Sequence, residues 1–157
     1  MNHKKLSSQI AGLTLLLMLL VACGKPQPTP TPIPPTATSA LVGEWVLTSL
    51  NGESLIKGTE INLHFKETFL GWSMSCNGYG GGPDSGRYIA TDDGTLTIPH
   101  QIAVTVQLCS TPKGIMEQEA AYIAALRSAA TYRVVDDRLE IDNAAGETIL
   151  VFARKEE

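Results

Sequence analysis

The sequence is poor in the residue types from which most active sites are built. Histidine occurs three times and cysteine three times, aromatic residues make up 6%, and charged residues only 18%. With His3 in a leader segment, His64 and His100 alone remain as general bases or imidazole ligands, and no two potential ligands stand at the short paired spacing of a zinc site. Lys and Arg are neither clustered nor interleaved with aromatics. Ten of them face sixteen acidic residues once the leader is set aside, a net charge of −6, which argues against nucleic acid as a partner and for a solubilising surface. A membrane-spanning run is also missing: the apolar stretch Ile10–Ala22 has 13 residues, against the roughly 20 that a spanning helix needs.

What is present begins with that stretch. Lys4 and Lys5 precede it and Leu20-Val21-Ala22-Cys23 closes it, the pattern of a secretory signal over residues 1–22 with a small residue at the cleavage point. A cysteine directly after that point resembles the lipobox of bacterial lipoproteins, so Cys23 is expected to carry diacylglycerol and become the mature N-terminus. Several acyl chains on one residue hold a protein on a membrane surface without spanning it. Residues 24–40, GKPQPTPTPIPPTATSA, contain six prolines and little to bury. They read, with Cys23, as a lipidated and extended linker (23–40) that reaches up to about 50 Å from the bilayer. The remainder, 41–157, is long enough for one domain with one modest core.

Within it the hydrophobic period is that of strands. EWVLTSL (44–50) is followed by the turn pair Asn51-Gly52, and INLHF (61–65) puts Ile61, Leu63 and Phe65 on one face. TFLGWSMS (68–75), GRYIA (86–90), TLTI (95–98) and IAVTVQL (102–108) are further strand-like pieces, the middle two joined by Asp92-Asp93-Gly94. TYRVV (131–135), LEI (139–141) and TILVFAR (148–154) form a meander with turns at Asp136-Asp137 and Ala145-Gly146. Segment 110–130 departs from this, with Met116, Ala120, Ile123 and Leu126 at helical spacing and Glu117 and Glu119 on the opposite, solvent face. Thr111 reads as its N-cap and Pro112 as its first residue. Many short strands and one helix predict a mainly β fold, a small antiparallel barrel or sandwich.

The stretch SMSCNGYGGG (73–82) carries the densest signal. A nucleophilic Cys76 needs a base, and nothing local brings His64 or His100 to it. A phosphate loop needs a Lys and a Ser or Thr at a helix entry, which GYGGGPDSG lacks. Zinc held by Cys76, Cys109 and the two histidines satisfies the ligand count without the spacing. Cysteine arithmetic favours a disulfide, because Cys23 is spent on lipid and Cys76 and Cys109 are the two thiols left in an exported domain. Asn77, before Gly78, reads as a turn former bonding its own backbone; Trp45, Trp72 and Tyr79 read as core and loop packing.

Cys76-Asn77-Gly78-Tyr79-Gly80-Gly81, Tyr88, the run Thr105-Val106-Gln107-Leu108-Cys109 and the helical EAAYIAAL (119–126) resemble the META domain of HslJ-type heat-shock lipoproteins, as does the opening LVGEWVLTSLNG (41–52). Ser75 stands where that family commonly has glycine, and 83–87 looks like an insertion. The resemblance implies a lipocalin-like or cracked β-barrel with one α-helix and motif residues Asn77, Gly78, Tyr79, Gly81 and Thr105 without a catalytic assignment; with no zinc-site spacing in the chain, no metal or cofactor is expected. It also implies an exported protein of the envelope or heat stress response. The expected function is that of a non-catalytic, membrane-anchored envelope lipoprotein whose partner is an envelope protein or an apolar ligand. The alternative is an inhibitor that presents the 77–86 loop to a secreted hydrolase.

Overall fold

The computed structural model describes residues 37–79, 86–98 and 103–156. The leader, Cys23, the linker through Thr36, Gly81 and His100 lie outside these residues, as does the side chain of Tyr79. The chain order is α1 (Ala37–Leu41), β1 (Gly43–Leu50), β2 (Asn62–Phe65), β3 (Leu70–Ser73), β4 (Gly78–Tyr79), β5 (Ile89–Ala90), β6 (Leu96–Thr97), α2 (Ile115–Arg127), β7 (Ala129–Val135), β8 (Arg138–Asn143) and β9 (Thr148–Arg154).

Seven strands form one antiparallel sheet in the order β4-β3-β2-β1-β9-β8-β7, and β5 and β6 form a separate hairpin. The hairpin spans the gap between the ends of the large sheet. Single bridges join Phe69 to Arg87 on one side and Thr95 to Thr131 on the other, and Tyr132 N–H donates to the Gly94 carbonyl at 2.7 Å. The fold is therefore mainly β and curls towards a barrel without a continuous closing ladder.

Alternation explains which side chains enter it. Trp45 and Leu47 of β1 face inward with Leu63 and Phe65, and with Leu139, Ile141, Leu150 and Phe152 from the meander. In β1 the register against β9 shifts between Leu47 and Ser49, and this bulge returns Leu50 to the core where strict alternation would put Ser49. The turn pairs act as expected. Asn51 and Gly52 both have positive φ, 51° and 82°, in a tight turn closed by reciprocal Leu50–Glu53 backbone bonds. Asp136 turns β7 into β8 at φ 52°.

Three expectations need correction. The linker read as extending to Ala40 gives its last residues to α1, which docks on the domain: Leu41 is fully buried, Trp45 Nε1–H donates to its carbonyl at 2.8 Å, and Arg154 Nη2 donates to the Ala40 carbonyl at 2.8 Å. Arg154 lies over the Trp45 ring, 4.1 Å from its centroid, and covers that end of the barrel. Segment 102–108 is not a strand of the sheet; its described part, from Ala103, is extended outside any ladder. The helix starts at Ile115 and not at Thr111, because Gly114 is left-handed at φ 89° and ends the preceding turn.

Candidate functional site

α2 buries Ile115, Glu119, Tyr122, Ala125 and Leu126. The inward face is thus turned from the one expected, and Glu119, assigned to solvent by its charge, is 4% exposed. Its carboxylate has a reason to be there. The end of β3 leads into a turn closed by Met74 N–H on the Asn77 carbonyl at 2.7 Å, which points the next two amides at the helix. Glu119 Oε1 accepts from Cys76 N–H at 2.7 Å and Asn77 N–H at 3.1 Å, while Oε2 accepts from Asn77 Nδ2 at 2.8 Å. Three N–H donors on one carboxylate replace the water it has lost.

Asn77 works on two sides at once. Its Oδ1 accepts from Gln107 N–H at 2.7 Å and from Thr105 Oγ1 at 3.1 Å, and its Nδ2 donates to the Gln107 carbonyl at 3.2 Å as well as to Glu119. The side-chain amide is paired with the N–H and C=O of one residue, as a neighbouring strand's peptide would be. All four of its hydrogen-bonding valences are filled. The expectation of an Asn77 side chain that bonds its own backbone is overturned, since it reaches 30 residues along the chain.

The remaining motif residues gather around this pair. Gly78 N–H donates to Thr105 Oγ1 at 3.1 Å, and Thr105 N–H donates to the Gly78 carbonyl at 3.1 Å. A Cβ on Gly78 would lie 3.7 Å from the Trp72 carbonyl, an ordinary contact, so its space is not what demands glycine. Cys76 and Cys109 are bonded as cysteine counting indicated, closing a separation of 33 residues. The bond removes both sulfurs as nucleophile or metal ligand. His64 sits apart on β2, with Nδ1 3.7 Å from Glu44 Oε1, and Lys155 Nζ lies 3.5 Å from the other oxygen of that carboxylate. This charged outer face of β1–β3 has a concavity of about 340 Å³.

A different concavity, about 380 Å³, runs between α2 and the extended segment 104–108. Its walls are apolar: Val104, Val106 and Leu108 on one side, Met116, Ala120 and Ile123 on the other. Val106 and Leu108 are each 91% exposed. The polar groups Asn77 and Glu119 at its floor are occupied by each other, and Arg127 stands at the end of the helix with Nε buried and without a partner among the described residues. Sequence reading missed this groove because V-T-V-Q-L alternates like a buried strand; the unused sign was the unpaired Glu119 beside an apolar helix stripe. Groups with displaced titration lie elsewhere. Hydrogen bonds from Thr91 and Thr95 hold Asp93 below the usual carboxylate range in the β5–β6 turn, and burial raises the phenols of Tyr88, Tyr132 and, most strongly, Tyr122.

A partly closed antiparallel barrel with one long helix, its loop base fixed by a disulfide and an Asn–Glu pair, places the protein among small lipocalin-like β domains. A family model described as the META domain matches residues 39–156, and the chain belongs to the META-domain family. An NMR structure of a protein from Burkholderia xenovorans has the same fold, with a TM-score of 0.58 and 24% identity over 86% of this chain and 97% of that one. Another NMR structure is similar at 20% identity over 71% and 88% of the two chains, with a TM-score of 0.49. A crystal structure of a DUF4847-family protein from Bacteroides vulgatus ATCC 8482 is similar at 20% identity over 62% of this chain and 60% of that one, with a TM-score of 0.43. No curated protein matches the chain.

Proposed function

We propose that the protein is a non-catalytic bacterial envelope lipoprotein, held on the extracytoplasmic side of a membrane by lipid on Cys23, whose META domain binds an apolar ligand or the apolar segment of an envelope protein. The observation that carries this reading is the groove between α2 and residues 104–108, where Val106 and Leu108 are left almost wholly in water. Exposed apolar side chains grouped beside a concavity mark binding surfaces more often than scattered ones do. The neighbouring polar residues support binding over catalysis, because Asn77 and Glu119 spend their hydrogen bonds on each other and on the backbone. The leader pattern ending in Cys23 supports the anchor, and the resemblance to heat-shock lipoproteins supports a role in envelope or heat stress.

Two measurements test it. A palmitate analogue fed to cells should label the wild type and leave Cys23→Ala unlabelled; label on the variant refutes the anchor. The chain carrying Cys23→Ser should enhance the fluorescence of the apolar probe N-phenylnaphthylamine, and Val106→Asp with Leu108→Asp should abolish the enhancement. Equal fluorescence from both proteins refutes the groove. The rigid stem at Cys76–Gly78 favours a second reading, an inhibitor that presents the 77–86 loop, which instead requires stoichiometric co-purification with a hydrolase.

A further inference from the structure

Among the described residues, segment 104–108 has an unpaired edge as well as exposed side chains. Thr105 and Gln107 turn their N–H groups towards Gly78 and Asn77, and in an extended chain the N–H groups of the residues between them point the opposite way. Among the described residues, the peptide groups of Val104, Val106 and Leu108 make no hydrogen bond within the chain. A hydrocarbon ligand leaves such groups as they are, whereas an extended peptide satisfies them.

The edge is also held in advance. The disulfide fixes Cys109, the Asn77 amide fixes Gln107, and two bonds with Gly78 fix Thr105, so little ordering is left for the moment of binding. Charge gives a direction. Cys109 N–H meets Met116 Sδ at 3.5 Å, which places the first turn of α2 at the Cys109 end of the groove. The helix then rises by about 1.5 Å per residue, so Arg127 lies at the far end. Arg127 forms no ion pair among the described residues, and its Nε is buried without an acceptor. A strand added antiparallel to 104–108 ends its own chain at that guanidinium.

Resting on the groove-binding function proposed above, we propose that residues 104–108 accept, by antiparallel strand addition, an extended peptide segment with alternating apolar side chains and a carboxylate at its C-terminal end that pairs with Arg127. Backbone pairing supplies the affinity. Contacts with Val106, Leu108 and Ile123 select apolar side chains at every second position, and Arg127 selects the terminal charge.

The test uses the full chain carrying Cys23→Ser and a fluorescein-labelled heptapeptide of alternating threonine and valine with a free C-terminal carboxylate, read by fluorescence anisotropy. Two further versions are N-methylated at alternate amides, one on each edge. Methylation of one edge should abolish binding and methylation of the other should leave it intact, a signature only strand pairing gives. Val106→Pro, which removes an N–H that bonds nothing among the described residues, should weaken binding by about tenfold or more. Arg127→Gln should weaken the free-acid peptide by a similar factor and bring it level with its C-terminal amide. The proposal is overturned if no version binds at up to about 1 mM, if both methylated peptides bind like the parent, or if Val106→Pro binds like the wild type. Oleate that displaces the naphthylamine probe while no peptide binds overturns strand addition and leaves the apolar-ligand function standing. Loss of probe binding in the wild type removes that function itself. Dimerisation of the unliganded chain, abolished by Val106→Pro in sedimentation, overturns the foreign peptide in favour of a second copy.

Discussion

Replacing Asn77 by Asp changes one atom type and reverses the electrostatics of the loop base. Nδ2 lies 2.8 Å from Glu119 Oε2, so Asn77→Asp sets one carboxylate against another at hydrogen-bond distance and also withdraws the donor from the Gln107 carbonyl. Two full charges at that separation repel by about 6 kcal/mol at an effective dielectric of about 20. The pair avoids this by keeping one proton between its members in the folded state, as closely spaced carboxylates do. Its folded pKa is then raised above the unfolded value, so the folded variant binds more protons than the unfolded one and loses stability as pH rises. The deficit against wild type should be smallest below about pH 4 and should grow by about 1.4 kcal/mol per pH unit above it. The loss at neutral pH is then several kcal/mol, below the full repulsion of about 6 kcal/mol because the shared proton relieves it, and a large part of the stability of a domain this size. Urea unfolding of the disulfide-intact chain at pH 4.5 and 7.5 measures it. Adding Glu119→Gln to Asn77→Asp should return part of the loss at pH 7.5, since the amide can donate where the carboxylate repelled. An Asn77→Asp deficit that is the same at both pH values, or no rescue by the second change, refutes the account of Glu119 as the partner of Asn77.

Two further changes probe the disulfide and the buried face of α2. The double variant Cys76→Ala/Cys109→Ala should keep the β circular dichroism of the parent and lose about 3–4 kcal/mol, the chain-entropy value for a loop of 33 residues; a loss under 1 kcal/mol, or two titratable thiols in protein isolated without reductant, contradicts it. The Tyr122 hydroxyl is fully buried and has no hydrogen-bond partner among the described residues, so Tyr122→Phe should stabilise the domain by about 1 kcal/mol in the same urea assay, whereas a loss of stability shows that the hydroxyl is bonded.

The strands and turns of the meander were legible because local chemistry decides them. Asp136 and Gly146 supply turns at positive φ, and Leu139 and Ile141 alternate between them, with Leu150 and Phe152 in the strand that follows. The Cys76–Cys109 pairing was legible because two thiols admit one partner each. The helix face was misread because charge was taken to mean exposure, and the three N–H donors that allow Glu119 inside come from 42 and 43 residues away, where no periodicity records them. Segment 102–108 was misread for the converse reason. Its alternation is real, but beyond one backbone bond to Gly78 its partner is a side chain, and β-propensity does not tell an amide on Asn77 from a rung of a ladder. Ala37–Ala40 looked like spacer because what holds this helix, Arg154 and Trp45, was not adjacent to it in the chain.

The amide of Asn77 also has a consequence for alignment. A run such as V-T-V-Q-L repeats every second residue, so against an ordinary strand it can slide by two positions and regain nearly the same hydrogen bonds and the same faces. Here the register is set by a side chain that fits a single residue: with Gln107 in place, Thr105 falls opposite Gly78 and Cys109 reaches Cys76. A slip of two residues sacrifices the amide pair, the threonine contact and the disulfide together. Sequence degeneracy that would leave a strand ambiguous is thereby converted into one permitted alignment, set from outside the strand.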